Sequence, residues 1–102
     1  MTNISTVIGR LTKDPQMKTT KNESKVVNFT VECIKDYILN ENNEADFIQC
    51  SAWNKNAEKL AAFAKKGSLI CVVGHIQSNS FLNNAQELIA ERVQILDILS
   101  ES

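Results

Sequence analysis

"AQELIAERVQILDIL", residues 85–99, admits two readings. Leu88, Ile89, Val93 and Leu96, set among residues of high helix propensity, predict a helix by pattern alone. Tertiary context overrides such propensities, so the choice depends on what the preceding 84 residues build.

Upstream, "VIGRLTKDP" (7–15) reads as a strand ending at Asp14-Pro15, because proline donates nothing to a ladder and disfavours helix before it. "KNES" (21–24) is a polar turn. In "VVNFTVECI" (26–34), Val27, Phe29, Val31 and Cys33 alternate with Asn28, Thr30 and Glu32, the period-2 mark of a half-buried strand. The Asn-rich loop "LNENNEAD" (39–46) leads into a third strand, "DFIQCSAW" (46–53). The period then turns helical at Ala57, Leu60, Ala61 and Ala64, with Phe63 at the stripe's edge. Glu58 near its start, Lys65 and Lys66 near its end and Gly67 as C-cap complete the helix reading. "SLICVVGHI" (68–76) is a fourth strand, apolar on both faces, as a strand that closes a barrel or meets another subunit would be. Strand, strand, strand, helix, strand needs one more strand to close. With it, residues 1–102 form a single mainly β domain, a five-stranded OB-fold barrel with one helix between strands 3 and 4, a common oligonucleotide-binding scaffold.

Composition and charge restrict the function. The chain is 43% hydrophobic and 23% charged, as in ordinary globular domains. No apolar run approaches the roughly 20 residues of a membrane span, and no signal sequence opens the chain, so the expected location is the cytoplasm. Cys33, Cys50 and Cys71 fit no zinc or redox spacing and read as buried thiols. With no phosphate-cradling glycine loop, no metal spacing and a lone His75, neither enzyme activity nor a metal or cofactor is expected. The net charge of −1 hides a pattern: residues 1–35 carry six basic and three acidic side chains, and 55–66 four lysines and one acid. A bound polyanion feels charge within about a Debye length of roughly 8–10 Å, so an acidic chain can still offer a basic surface.

The third strand carries a contradiction of its own. Ile48, Cys50 and Ala52 mark a core face, yet the opposite, polar side holds Phe47 and Trp53 beside Gln49 and Ser51. Here the residues carry a resemblance. "IGRLTKDP", "VVNFTVE", "EADFIQCSAWNKNAEKLA" and "KKGSLICVVGHIQ" resemble, in order, blocks of bacterial single-stranded DNA-binding proteins, most closely those of Gram-positive type. The match runs from Asn3 to about Leu96.

The resemblance implies that "ELIAERVQIL" is the fifth strand, that the chain forms a homo-oligomer, a tetramer in preference to a dimer, and that it binds single-stranded DNA without sequence preference in replication, recombination or repair. It places Trp53, Phe47, Tyr37 and Phe81 where the family stacks aromatics on bases, each contact contributing roughly 1–3 kcal/mol whatever the base. Burial of Trp53 against a neighbouring subunit is the rival reading for that residue. Lys55, Lys66 and Lys18 match basic positions of the family, with Arg10 and Lys13 as adjacent candidates, all for phosphate neutralisation. After Gly74 the family runs into a basic stretch, whereas here "HIQSNSF" follows, and the next hairpin is shorter and lacks its glycine. Both departures imply fewer phosphate contacts, and His75 is read as a structural or surface residue. The chain stops at "LSES", where the family continues into a linker and an acidic tip, so no partners recruited by such a tip are expected. Together these features suggest a mobile-element or auxiliary copy. The alternatives are an OB-fold accessory protein resembling primosomal replication protein N, acting mainly through protein partners, and an interaction module that has lost DNA.

Overall fold

A computed structural model describes residues 1–34, 44–80 and 83–97. Its elements run β1 (Ser5–Leu11), β2 (Met17–Thr19), β3 (Lys25–Ile34), β4 (Ala45–Trp53), α1 (Lys55–Phe63), β5 (Leu69–Asn79) and β6 (Ala85–Ile95). The sheet order is β1-β5-β6-β4-β3-β2, and a further β1–β3 pairing at Arg10↔Glu32 and Leu11↔Val31 closes the sheet on itself, leaving β2 outside the closure. Five long strands thus close into the expected barrel, with α1 between the third and fourth of them. β2, which pairs only with β3, is an addition that the sequence reading did not anticipate.

Residues 85–95 are a strand, which overturns the helix read from their pattern. Leu88 and Ala90 are buried, then Val93 and Ile95, so the inward positions change parity midway. The cause is a register shift opposite Val73/Gly74, where Glu91 and Arg92 both lie exposed. An extra residue in one strand moves every later side chain to the other face and erases the period-2 signal.

Two glycines permit the closure. A Cβ on Gly9 would overlap the Glu32 carbonyl oxygen and meet the Val31 side chain, and one on Gly74 would overlap the Ile89 carbonyl oxygen. The strands cross too closely at both points for any side chain.

The barrel interior holds Leu11, Val27, Phe29, Val31, Cys50, Ala52, Ile70, Val72, Leu88, Ala90, Val93 and Ile95, and α1 covers it with Ala57 and Leu60. Ala61, placed on the helix's inward stripe by its spacing, is exposed. The helix also stops earlier than expected: Ala64 is its C-cap in an extended conformation, and Gly67, at φ 90, serves the following turn instead. Lys65 and Lys66 therefore lie beyond the helix. Its start is fixed to β3 by reciprocal bonds, Asn54 N–H to the Lys25 carbonyl (2.8 Å) and Lys25 N–H to Asn54 Oδ1 (3.1 Å). A Lys25–Glu58 ion pair of 2.7 Å adds to them and holds the Glu58 carboxyl below its ordinary pKa. Of the cysteines, Cys50 is buried while Cys33 and Cys71 are half-buried. Burial, then nearby Cys33 and Glu87, pushes the Cys50 thiol up to about 12.

Candidate nucleic-acid interface

The outward face of β3 and β4 is laid out in rows by strand register. Val26 stands opposite Trp53, Asn28 opposite Ser51, Thr30 opposite Gln49 and Glu32 opposite Phe47. β2 extends the first row, with Lys18 opposite Val26. Trp53 is 41% exposed and Phe47 59%, so both aromatics lie open, with the polar rows of Asn28 with Ser51 and Thr30 with Gln49 between them and Val26 and Ile34 toward the ends of the face. Six residues at about 3.3 Å each set them about 20 Å apart along β4, and two strand spacings put Lys18 about 10 Å from Trp53.

Between these platforms the sheet and the β1–β2 loop enclose a groove of about 580 Å³, lined by Thr12, Lys13, Asp14, Gln16, Lys18, Asn28, Phe29, Thr30, Gln49 and Lys66. Lys66 reaches it because Asp14 Oδ1 accepts its backbone N–H at 2.7 Å, while the Gly67 N–H bonds the Leu11 carbonyl at 2.8 Å. The turn after α1 is thereby tied to the β1–β2 loop, and lysines 53 positions apart in sequence line one wall. The sequence reading missed Asp14 as a positioning residue; its place before Pro15 signalled only the end of a strand, which the structure ends earlier, at Leu11.

Of the basic residues singled out from sequence, Lys13, Lys18 and Lys66 converge on the groove. Lys55 opens α1 outside it, exposed. The Arg10 guanidinium bonds the Gly67 carbonyl (2.9 Å) and pairs with Asp97 (3.3 Å), on the side of β1 toward β5. Tyr37 and Phe81 lie outside the described residues. Ser51, on the same outward side as Trp53, is only 2% exposed, and its Oγ has no hydrogen-bond partner. Thr30 Oγ1 donates to Gln49 Oε1 at 3.2 Å across the adjacent row.

His75 belongs to another surface. Its Nδ1 lies 2.6 Å from Glu91 Oε2 and its Nε2 3.3 Å from Gln77 Oε1, and the hydrogen bond to Glu91, then that to Gln77, raises its pKa above the ordinary histidine value. The pair bridges β5 and β6 beside the bulge. Among the described residues no group of three His, Cys, Asp or Glu side chains is placed to hold a metal ion, and no helix is long and apolar enough to cross a membrane.

A five-stranded barrel with this strand order, with its helix between the third and fourth long strands, defines an OB-fold module. The chain belongs to the single-strand binding protein family, whose family model matches residues 2–96. It is 41% identical over 104 residues to a single-stranded DNA-binding protein of Halalkalibacterium halodurans, a match covering 95% of this chain and 62% of that protein. A single-stranded DNA-binding protein of Enterococcus faecalis is 38% identical over 109 residues, covering 100% of this chain and 58% of the relative. The chain thus spans about three fifths of the length of these relatives. Among solved structures, the single-stranded DNA-binding protein of Thermus aquaticus superposes with a TM-score of 0.78 at 21% identity, over 99% of this chain and 43% of that one, which shows the shared fold.

Proposed function

We propose that this chain binds single-stranded DNA without a required sequence, as a cytoplasmic protein of replication, recombination or repair. The observation that carries this reading is the pairing of two open aromatics, Phe47 and Trp53, with a groove between them walled by Lys13, Lys18 and Lys66. Aromatic faces accept any base, and a lysine-lined groove tracks the phosphates. The names of the family relatives support the same assignment. Lys55 and Arg10 stand at the margin of the proposed site, and Tyr37 and Phe81 remain proposed stacking residues on the family resemblance alone.

Titration with oligo(dT), followed by tryptophan fluorescence, tests the proposal. Trp53 is the only indole, so its stacking on a base quenches the emission strongly. Trp53→Ala weakens binding by about 1–3 kcal/mol, roughly 5- to 150-fold, with the fold retained. A chain that leaves oligo(dT) unbound at low salt overturns the assignment.

Self-assembly, with a tetramer preferred to a dimer, is part of the proposal. β1 pairs with β5 over Ser5–Arg10 but with β3 only at Arg10 and Leu11, which leaves one edge of Ser5–Gly9 without a strand among the described residues. Ile4 and Ile8 beside it are 74% and 56% exposed. An open, apolar strand edge favours pairing with another chain, and sedimentation velocity reads the resulting mass; a monomer at all concentrations counts against it.

A further inference from the structure

The groove between Phe47 and Trp53 presents hydrogen-bonding groups where sequence-blind binding requires only stacking and charge. Gln49 lines it from the middle of β4, with its amide oriented by Thr30. Because Thr30 Oγ1 donates to Gln49 Oε1, the carbonyl end of that amide is engaged and its NH2 group is left to donate. Of the charged groups of the wall, Lys13, Lys18 and Lys66 are donors, and the one acceptor, Asp14, already takes the Lys66 N–H on its Oδ1. A base edge that reaches Gln49 therefore meets the donating end of a held amide, with more cations than carboxylates around it.

Bases differ in how they answer such a surface. Thymine and guanine carry exocyclic oxygens that accept, while cytosine and adenine carry amino groups that donate at the corresponding place. We infer that Gln49, held by Thr30, is a specificity-determining residue that makes this groove favour keto bases, thymine and guanine, over amino bases at one nucleotide of the bound strand. The inference rests on the single-stranded DNA reading and refines it. Stacking on Phe47 and Trp53 holds the strand whatever its sequence, and the Gln49 amide adds a graded preference on top. A groove of about 580 Å³ is large enough to admit a nucleotide between the two platforms.

Oligo(dT) and oligo(dC) of equal length are suitable probes, since both are pyrimidine strands with similar rings. Their affinities are measured by fluorescence for the wild-type chain, Gln49→Leu and Gln49→Glu. One hydrogen bond gained by thymine raises the wild-type dT-to-dC affinity ratio by about threefold to tenfold over that of Gln49→Leu. In Gln49→Glu the side chain accepts instead of donating, so the ratio falls below that of Gln49→Leu even as its added negative charge weakens both complexes. Gln49 is exposed, and circular dichroism confirms that the variants fold. A ratio that is the same in all three chains overturns the base preference while leaving DNA binding standing. Failure of the wild-type chain to bind either strand overturns the DNA reading, and this inference with it.

Discussion

Ser51 is a buried hydroxyl that makes no hydrogen bond, on a strand side that alternation alone marks as open. A polar group left dry without a partner costs about 1–3 kcal/mol, so Ser51→Ala is expected to raise stability by about 1 kcal/mol, read as a higher urea midpoint with an unchanged slope. Sequence identifies the outward side of β4 but not the depth of each position, which depends on the side chains of the neighbouring strands. The same limit applied to Arg10, whose charge was legible while its capture by Asp97, 87 residues away, was not. His75 extends the point to titration. Both atoms facing its ring accept hydrogen bonds, so the imidazolium fits the site better than the neutral ring, in keeping with its raised pKa. A raised histidine pKa stabilises the fold fully below the unfolded value and loses that contribution as pH climbs through the folded one. The melting temperature of the wild-type chain should therefore exceed that of His75→Gln at about pH 5.5, with the gap closing by about pH 8.5. A gap that is constant with pH would refute the imidazolium assignment.

Element by element, a segment was legible where one side of it is buried along its whole length. β3 shows this directly, since Val27, Phe29 and Val31 alternate against Asn28, Thr30 and Glu32 without interruption. β2 was missed because Met17, Lys18 and Thr19 are all exposed and three residues hold no period. α1 was legible in kind but not in extent: only Ala57 and Leu60 are buried, and the chain turns extended at Ala64, whose N–H still bonds the Leu60 carbonyl. β6 read as a helix because its bulge puts Leu88 and Ala90 in one phase and Val93 and Ile95 in the other. Gly74 lies opposite that bulge, and its missing side chain lets β6 cross. Gly74→Ala forces a methyl group into the Ile89 backbone, and since backbone cannot rotate away, the expected cost is at least about 2–3 kcal/mol. Thermal unfolding would show it as a melting point lower by about 8 °C or more, given about 4–8 °C per kcal/mol for a domain of this size. An unchanged melting point would mean that the two strands lie farther apart than described.

For the molecule as a whole, a net charge of −1 offers a polyanion almost no long-range attraction, so binding depends on which cations stand close together. The sequence showed basic residues concentrated in two segments; only folding revealed that the β1–β2 loop and the turn after α1 meet through Asp14 and Lys66, setting Lys13, Lys18 and Lys66 around one groove. Arg10 is partly neutralised by Asp97, and Lys55 stands outside the groove wall. Three neutralised phosphates per chain, at about −0.7 each, give a slope of log affinity against log salt near −2, or roughly a 20-fold loss between 50 and 200 mM. The double variant Lys18→Ala/Lys66→Ala should flatten the slope by about 1.4 per chain, whereas Lys55→Ala should leave it nearly unchanged. Equal flattening by Lys55→Ala would instead place the phosphate path along the start of α1, beside Trp53, and the groove would no longer be its principal track.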